Sequence, residues 1–158
     1  ITFLIFTTIL VISISGCTGY KPIFQSTNLQ FKITNHAIEG NKVLGNKIYS
    51  NLHNLTKSLP DDKNIKNIDI IINISKEKSE TSKNSAGKIL EYKILISAKI
   101  IVTDSISSNQ ILNQTFISSS TYKVQDQYSE TVKLENKSTE DLINKINQEL
   151  LIQLSQSI

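Results

Sequence analysis

A chain of 158 residues with a formal net charge of +3 is the size of one domain, and 39% hydrophobic with 20% charged residues is an ordinary globular composition. All 17 basic residues are Lys, spread along the chain and not gathered into the basic stripe that nucleic-acid binding requires. The single cysteine, Cys17, excludes an internal disulfide, and the modest charge leaves room only for local binding of an anionic ligand.

The N-terminal segment carries the strongest signal. Phe3 to Ile14 is uncharged and largely apolar, the length of a secretory signal core and too short for the roughly 20 apolar residues of a membrane-spanning helix. Ile14-Ser15-Gly16-Cys17 resembles the bacterial lipobox, in which small residues let a peptidase approach the bond before Cys17. By that resemblance the Cys17 sulfur carries a diacylglycerol and the freed amine is acylated too. Two or more acyl chains anchor stably where one binds marginally. The chain contains no Met, so residues 1–16 are expected to be an N-terminally truncated signal peptide. Residues 17–28 then form the lipidated Cys17 and an exit segment, which Pro22 keeps extended, ahead of a domain over residues 29–158. Thr18, not Asp, follows Cys17, which by resemblance to lipoprotein sorting directs the protein to the outer membrane.

Within the domain, Leu29 to Thr34 alternates apolar and polar residues and predicts a strand that Gly40 and Asn41 break. Leu44, Ile48, Leu52, Leu55 and Leu59 then form one helical stripe, with Pro60-Asp61-Asp62 as the exit. Ile68 to Ile74 places its even-numbered residues on one apolar face, and Leu90 to Val102 does the same. The polar stretch Lys76 to Lys88, with Gly87, predicts a hairpin with a long or frayed tip. Ser105 to Asn109 is a polar turn into a third strand, Ile111 to about Val124, where Ile111, Leu112, Phe116 and Ile117 give a less regular pattern. Leu142, Ile146, Leu150, Leu154 and Ile158 return to helical spacing, with Ser138 and Asp141 matching a capping box. Tyr128 and Val132 continue that spacing, so the helix either starts near Ser138 or runs back through it. The fold expected is an α+β two-layer sandwich, a four-stranded sheet with two helices on one face, in the order β-α-β-β-β-α.

Cys17-Thr18-Gly19-Tyr20-Lys21-Pro22-Ile23-Phe24 resembles the opening of the LptE family of lipopolysaccharide-assembly lipoproteins, in its alphaproteobacterial form. The inserted Thr18 departs from the commonest form. Thr81 to Gly87 followed by Tyr92 resembles that family's polar hairpin and returning strand, and an amphipathic C-terminal helix fits it too. The resemblance implies an outer-membrane plug and assembly partner of the LptD β-barrel that binds lipopolysaccharide and helps deliver it to the outer leaflet. It implies no catalysis and no cofactor beyond the covalent lipid on Cys17. Lipopolysaccharide phosphates need cations, and Lys76, Lys78, Lys83 and Lys88 cluster around the hairpin as candidate contacts, although interleaved Glu77 and Glu80 also fit a merely solvated hairpin. Tyr20, Tyr92 and Tyr122 are candidates for a barrel contact, although the face of Tyr92 places it rather in the core. The competing function is an accessory lipoprotein of another outer-membrane complex, for barrel insertion or lipid transport.

Catalytic and metal chemistry find no support. His36 and His53 lack partners at ligand spacing and read as surface or half-buried residues. Asp61-Asp62 reads as a helix exit, no glycine loop cradles phosphate, and Thr81-Ser82 and Ser118-Ser119-Ser120 lack a base.

Overall fold

Alternating isoleucines build the centre of the molecule. The computed structural model describes residues 30–57 and 65–158, in the order β1 (Phe31–Gly40), α1 (Lys42–Thr56), β2 (Lys66–Lys83), β3 (Ile89–Asp104), β4 (Gln110–Lys123) and α2 (Tyr128–Ser157). The signal core, Cys17, the exit segment with Tyr20, and Leu59 with the following Pro60-Asp61-Asp62 lie outside the described residues. The strands form one sheet in the order β1-β2-β3-β4. β2, β3 and β4 make an antiparallel meander, while β1 pairs parallel to β2. A parallel pair needs a crossover, and α1 supplies it. The β-α-β-β-β-α sandwich expected from the sequence is the fold observed.

Ile68, Ile70, Ile72 and Ile74 of β2 and Ile94, Ile96, Ala98, Ile100 and Val102 of β3 are all buried on one sheet face. The helices cover that face with Leu44, Ile48 and Leu52 from α1 and Leu142, Ile143, Ile146, Leu150, Leu151 and Leu154 from α2. Each fully buried aliphatic side chain contributes roughly 1.5–3 kcal/mol relative to exposure. The opposite face is open, leaving Ile71 and Ile117 exposed. Ile117 thus points away from Phe116, which resolves the irregular pattern of β4: Leu112, Phe116, Ser118 and Tyr122 face inward.

β1 is longer than its alternation predicts because the period changes within it. A register shift between Ile33 and Asn35 inserts Thr34 as an extra residue. Before it, Phe31 and Ile33 face the helices; after it, His36, Ile38 and Gly40 do, opposite Ile70, Ile72 and Ile74. Asp69 holds the shift in place by accepting hydrogen bonds from the Asn35 backbone N–H at 3.2 Å, the Asn35 amide at 3.0 Å and the Ser105 hydroxyl at 2.6 Å.

Gly40 then turns the chain into α1. Its φ is +73°, and a Cβ there would sit 2.3 Å from the Ile74 carbonyl oxygen, so only glycine fits. The next residue, Asn41, donates its N–H to that carbonyl and caps α1 by accepting from the Leu44 N–H at 3.2 Å. Gly45 lets α1 approach β1 closely, because a Cβ there would meet Ile38 Cγ2 at 2.3 Å. At the other end of α1, Thr56 is buried and its hydroxyl donates back to carbonyls of its own last turn.

One boundary differs from expectation, and of the two starts open to the C-terminal helix the earlier one is observed. Lys76 to Lys88 is not a long loop: β2 and β3 stay paired out to Lys83 and Ile89, and the tip is only Asn84–Lys88, closed by the Asn84 side chain accepting from the Ala86 and Lys88 N–H groups. α2 is one helix of 30 residues, about 45 Å long, so Ser138 lies in its interior and caps nothing. Its extension faces the sheet through Thr131, Leu134, Glu135 and Thr139, not through Tyr128, which is 82% exposed.

Candidate functional site

The four lysines of the hairpin divide by strand geometry. Even-numbered positions of β2 face the helices, so the row Ile70, Ile72, Ile74 continues directly into Lys76 and Lys78. There the N-terminal half of α2 lies above them and offers Glu135. Lys76 Nζ is 2.8 Å from one carboxylate oxygen of Glu135 and Lys78 Nζ is 2.6 Å from the other. The Tyr122 hydroxyl donates to the same carboxylate at 2.9 Å. Lys78 also sits over the Tyr92 ring, 4.2 Å from its centroid, and the Tyr92 and Tyr122 rings lie 5.9 Å apart.

This is a polar clasp where the apolar core ends. Partial burial pushes Glu135 upward, but hydrogen bonds from Lys76, Lys78 and Tyr122 outweigh it and hold the carboxyl at about 2. Partial burial works to lower Lys78, and its bonds to Glu135 and Tyr122 outweigh that and raise it. Burial raises the Tyr122 hydroxyl above its ordinary value. Glu135 therefore stays a carboxylate, Lys78 an ammonium and Tyr122 a neutral phenol at neutral pH, and two lysines against one carboxylate give the cluster a formal excess of one positive charge.

Lys83 and Lys88 lie elsewhere. Lys83 is exposed and pairs with Glu80 at 2.6 Å, while Lys88 is exposed at the tip and makes no ion pair among the described residues. The structure thus brings Lys76 and Lys78 together and leaves Lys83 and Lys88 apart from them. Glu135, 57 residues beyond Lys78, is the member that local sequence patterns could not connect to the hairpin. Tyr122 is only 6% exposed and committed to Glu135, so it is not a surface tyrosine; Tyr92 is half-buried against the core.

The histidines form a different feature. The Thr34 insertion turns His36 toward α1, where it stacks on Tyr49 at 3.8 Å between ring centroids, and His53 stacks beyond Tyr49 at 5.4 Å. Among the described residues no three His, Cys, Asp or Glu side chains gather to hold a metal, and no helix is long and apolar enough to cross a membrane.

No family model and no curated protein matches the chain. Solved structures do match. Lipoprotein B from Nitrosomonas europaea is 17% identical with a TM-score of 0.58, over 87% of this chain and 90% of that one. A minor lipoprotein from Acinetobacter baumannii is 12% identical with a TM-score of 0.56, over 81% and 92%. Rare lipoprotein B from Shewanella oneidensis is 15% identical with a TM-score of 0.53, over 78% and 96%. At these identities the likeness is one of architecture: this chain has the fold of these bacterial lipoproteins over nearly their whole length.

Proposed function

We propose that this protein is a lipid-anchored outer-membrane lipoprotein that serves, without catalysing a reaction, as plug and assembly partner of an LptD-like β-barrel in lipopolysaccharide transport. The observation that carries the proposal is the segment Ile14 to Phe24, where a lipobox-like Ser15-Gly16-Cys17 runs directly into Gly19-Tyr20-Lys21-Pro22. The fold supports it, because solved proteins of the same architecture are themselves described as lipoproteins. Acyl chains on Cys17 hold the domain at the periplasmic side of the membrane, and Thr18 selects the outer one.

Lipopolysaccharide is the proposed ligand of the hairpin. Lys76 and Lys78, spaced by their shared carboxylate, present one excess positive charge close to Tyr92, and toward the tip Lys88 adds a further cation beside Lys83, which Glu80 neutralises. A phosphate that competes with Glu135 for the two ammoniums meets donors already held in place. Depletion of the protein in its own cell, followed by surface labelling of lipopolysaccharide, tests the role. Surface lipopolysaccharide should fall before other outer-membrane components do; a normal level would overturn the proposal.

A further inference from the structure

Among the described residues the sheet has three stretches of open edge, and their chemistry differs. The outer edge of β1 carries Lys32 and Glu39 and is bent by the extra residue at Thr34. β1 stops beside Ile74, so β2 is open from Ser75 to Lys83, where Lys76, Glu77, Lys78, Glu80 and Lys83 crowd the strand with charge. Charges and bulges are how proteins keep a strand edge from pairing with another chain. β4 has neither along its length. From Gln110 to Tyr122 it contains no charged residue, no Pro and no Gly, and it pairs with β3 without a break from Leu112 to Lys123.

The direction of the free backbone groups follows from one hydrogen bond. The Val124 N–H donates to the Leu90 carbonyl at 2.9 Å, in register with the ladder between β3 and β4. Both backbone groups of an antiparallel strand residue point the same way, and the direction alternates along the chain. Even-numbered residues of β4 therefore face β3, and odd-numbered ones face outward. Asn113, Thr115, Ile117 and Ser119 are all exposed, and their outward N–H and C=O groups have no partner among the described residues. Ile117 is 61% exposed, more than any other large apolar side chain of the described strands, and it lies at the middle of Gln110–Lys123.

The central position of Ile117 decides what fits. Antiparallel pairing of β4 with itself, about a two-fold axis at Ile117, keeps nearly the whole strand in register. It sets Ile117 against Ile117 of the second copy, Thr115 against Ser119 and Asn113 against Thr121, so apolar meets apolar and polar meets polar. Residues near such an axis lie beside their own twins, where a charge would repel itself. β4 is the edge that has none there, and its terminal Lys123 falls at opposite ends of the pair. We infer that two copies of this protein join by antiparallel pairing of their β4 edges into one continuous sheet, with Ile117 of each copy at the two-fold axis. The inference goes beyond the barrel role and does not depend on it. A closed barrel has no free edge to lend β4, so the pairing joins copies that are not seated in a barrel.

The test uses the full-length protein, first in its own membrane and then extracted in mild detergent. Ile117→Cys, oxidised in the membrane, should give a disulfide-linked product of twice the chain's mass, because hydrogen-bonded antiparallel partners hold their Cα atoms about 5.5 Å apart. Ile71→Cys, exposed on the open face of β2, and the wild type with Cys17 alone should give none. In detergent the wild type should approach dimer mass by sedimentation equilibrium as its concentration rises toward millimolar. Ile117→Lys should keep the circular dichroism of the wild type and weaken self-association at least tenfold. Mixing it with Ile117→Glu should restore association, since opposite charges then meet at the axis. Oxidation that links position 117 to a different polypeptide, or to nothing, would overturn the inference. So would a wild type that stays monomeric, undiminished association of Ile117→Lys, or a mixture of the two charge variants that remains monomeric.

Discussion

Replacing Glu135 by Gln removes one charge and little volume from the clasp that joins α2 to the hairpin. In the wild type the carboxyl, ordinarily near 4.5, is held at about 2 by Lys76, Lys78 and Tyr122. A displacement of that size corresponds to at most about 3 kcal/mol of folding free energy at neutral pH. Glu135 and Lys76 each keep 22% of their side-chain exposure and Lys78 keeps 37%, so solvent and salt screen the cluster and leave on the order of 1–2 kcal/mol. Because the folded-state value lies below the unfolded one, this contribution is complete above about pH 4.5 and disappears as pH falls toward 2. The opposite limb does not arise in the working range: Lys78 is raised, so its contribution is present at all pH values below its ordinary 10.5. Urea unfolding of wild type and Glu135→Gln, followed by circular dichroism from pH 7 down to pH 2, should show a gap on the order of 1–2 kcal/mol that narrows steadily below pH 4.5. The gap should also shrink in 1 M salt. A gap of constant size across that pH range would refute the electrostatic account and assign the loss to packing.

Gly45→Ala forces a methyl against Ile38 Cγ2 and should cost about 1–3 kcal/mol, read from the urea midpoint, with α1 still helical. Gln127 is the N-cap of α2, with extended backbone but no capping bond from its side chain, so Gln127→Asp should raise stability by about 1 kcal/mol. Changing Lys76, Lys78, Lys83 and Lys88 together to Ser should weaken binding of lipopolysaccharide by at least tenfold in a direct binding assay, and unchanged affinity would exclude the hairpin as the contact. Cys17→Ala should move the protein from the membrane pellet to the soluble periplasmic fraction, with no [³H]palmitate incorporated.

What could be read from the sequence follows from where burial imposes a period. In β2 and β3 one face is sealed by helices and the other is open, so Ile68 to Ile74 and Ile94 to Val102 alternate cleanly and their strands are visible. The stripes of α1 and of the C-terminal half of α2 are visible for the same reason. Order without an apolar period is not. The hairpin beyond Ile74 is held by backbone pairing and by Lys–Glu135 contacts, so Lys76 to Lys83 reads as loop although it is strand. The first half of α2 turns Thr131, Glu135 and Thr139 to the sheet with Leu134 as its one aliphatic core contact, and so mixed an inward face carries little hydropathy signal. β1 changes phase at Thr34, and one added residue hides the inward-facing His36 and Ile38 from any alternation count.

The candidate sites follow the same logic. Sequence proximity collected four lysines into one cluster; the sheet separates Lys76 and Lys78 from Lys83 and Lys88, and supplies Glu135 from a distant helix.

The most direct measurement is the composition of the complex that the lipidated protein forms in its own membrane. The tagged full-length protein, extracted in mild detergent and affinity purified, should bring down one large β-barrel at equal stoichiometry, with lipopolysaccharide attached. Recovery of the protein alone, or within a multi-lipoprotein assembly lacking such a barrel at equal stoichiometry, would contradict the proposed role.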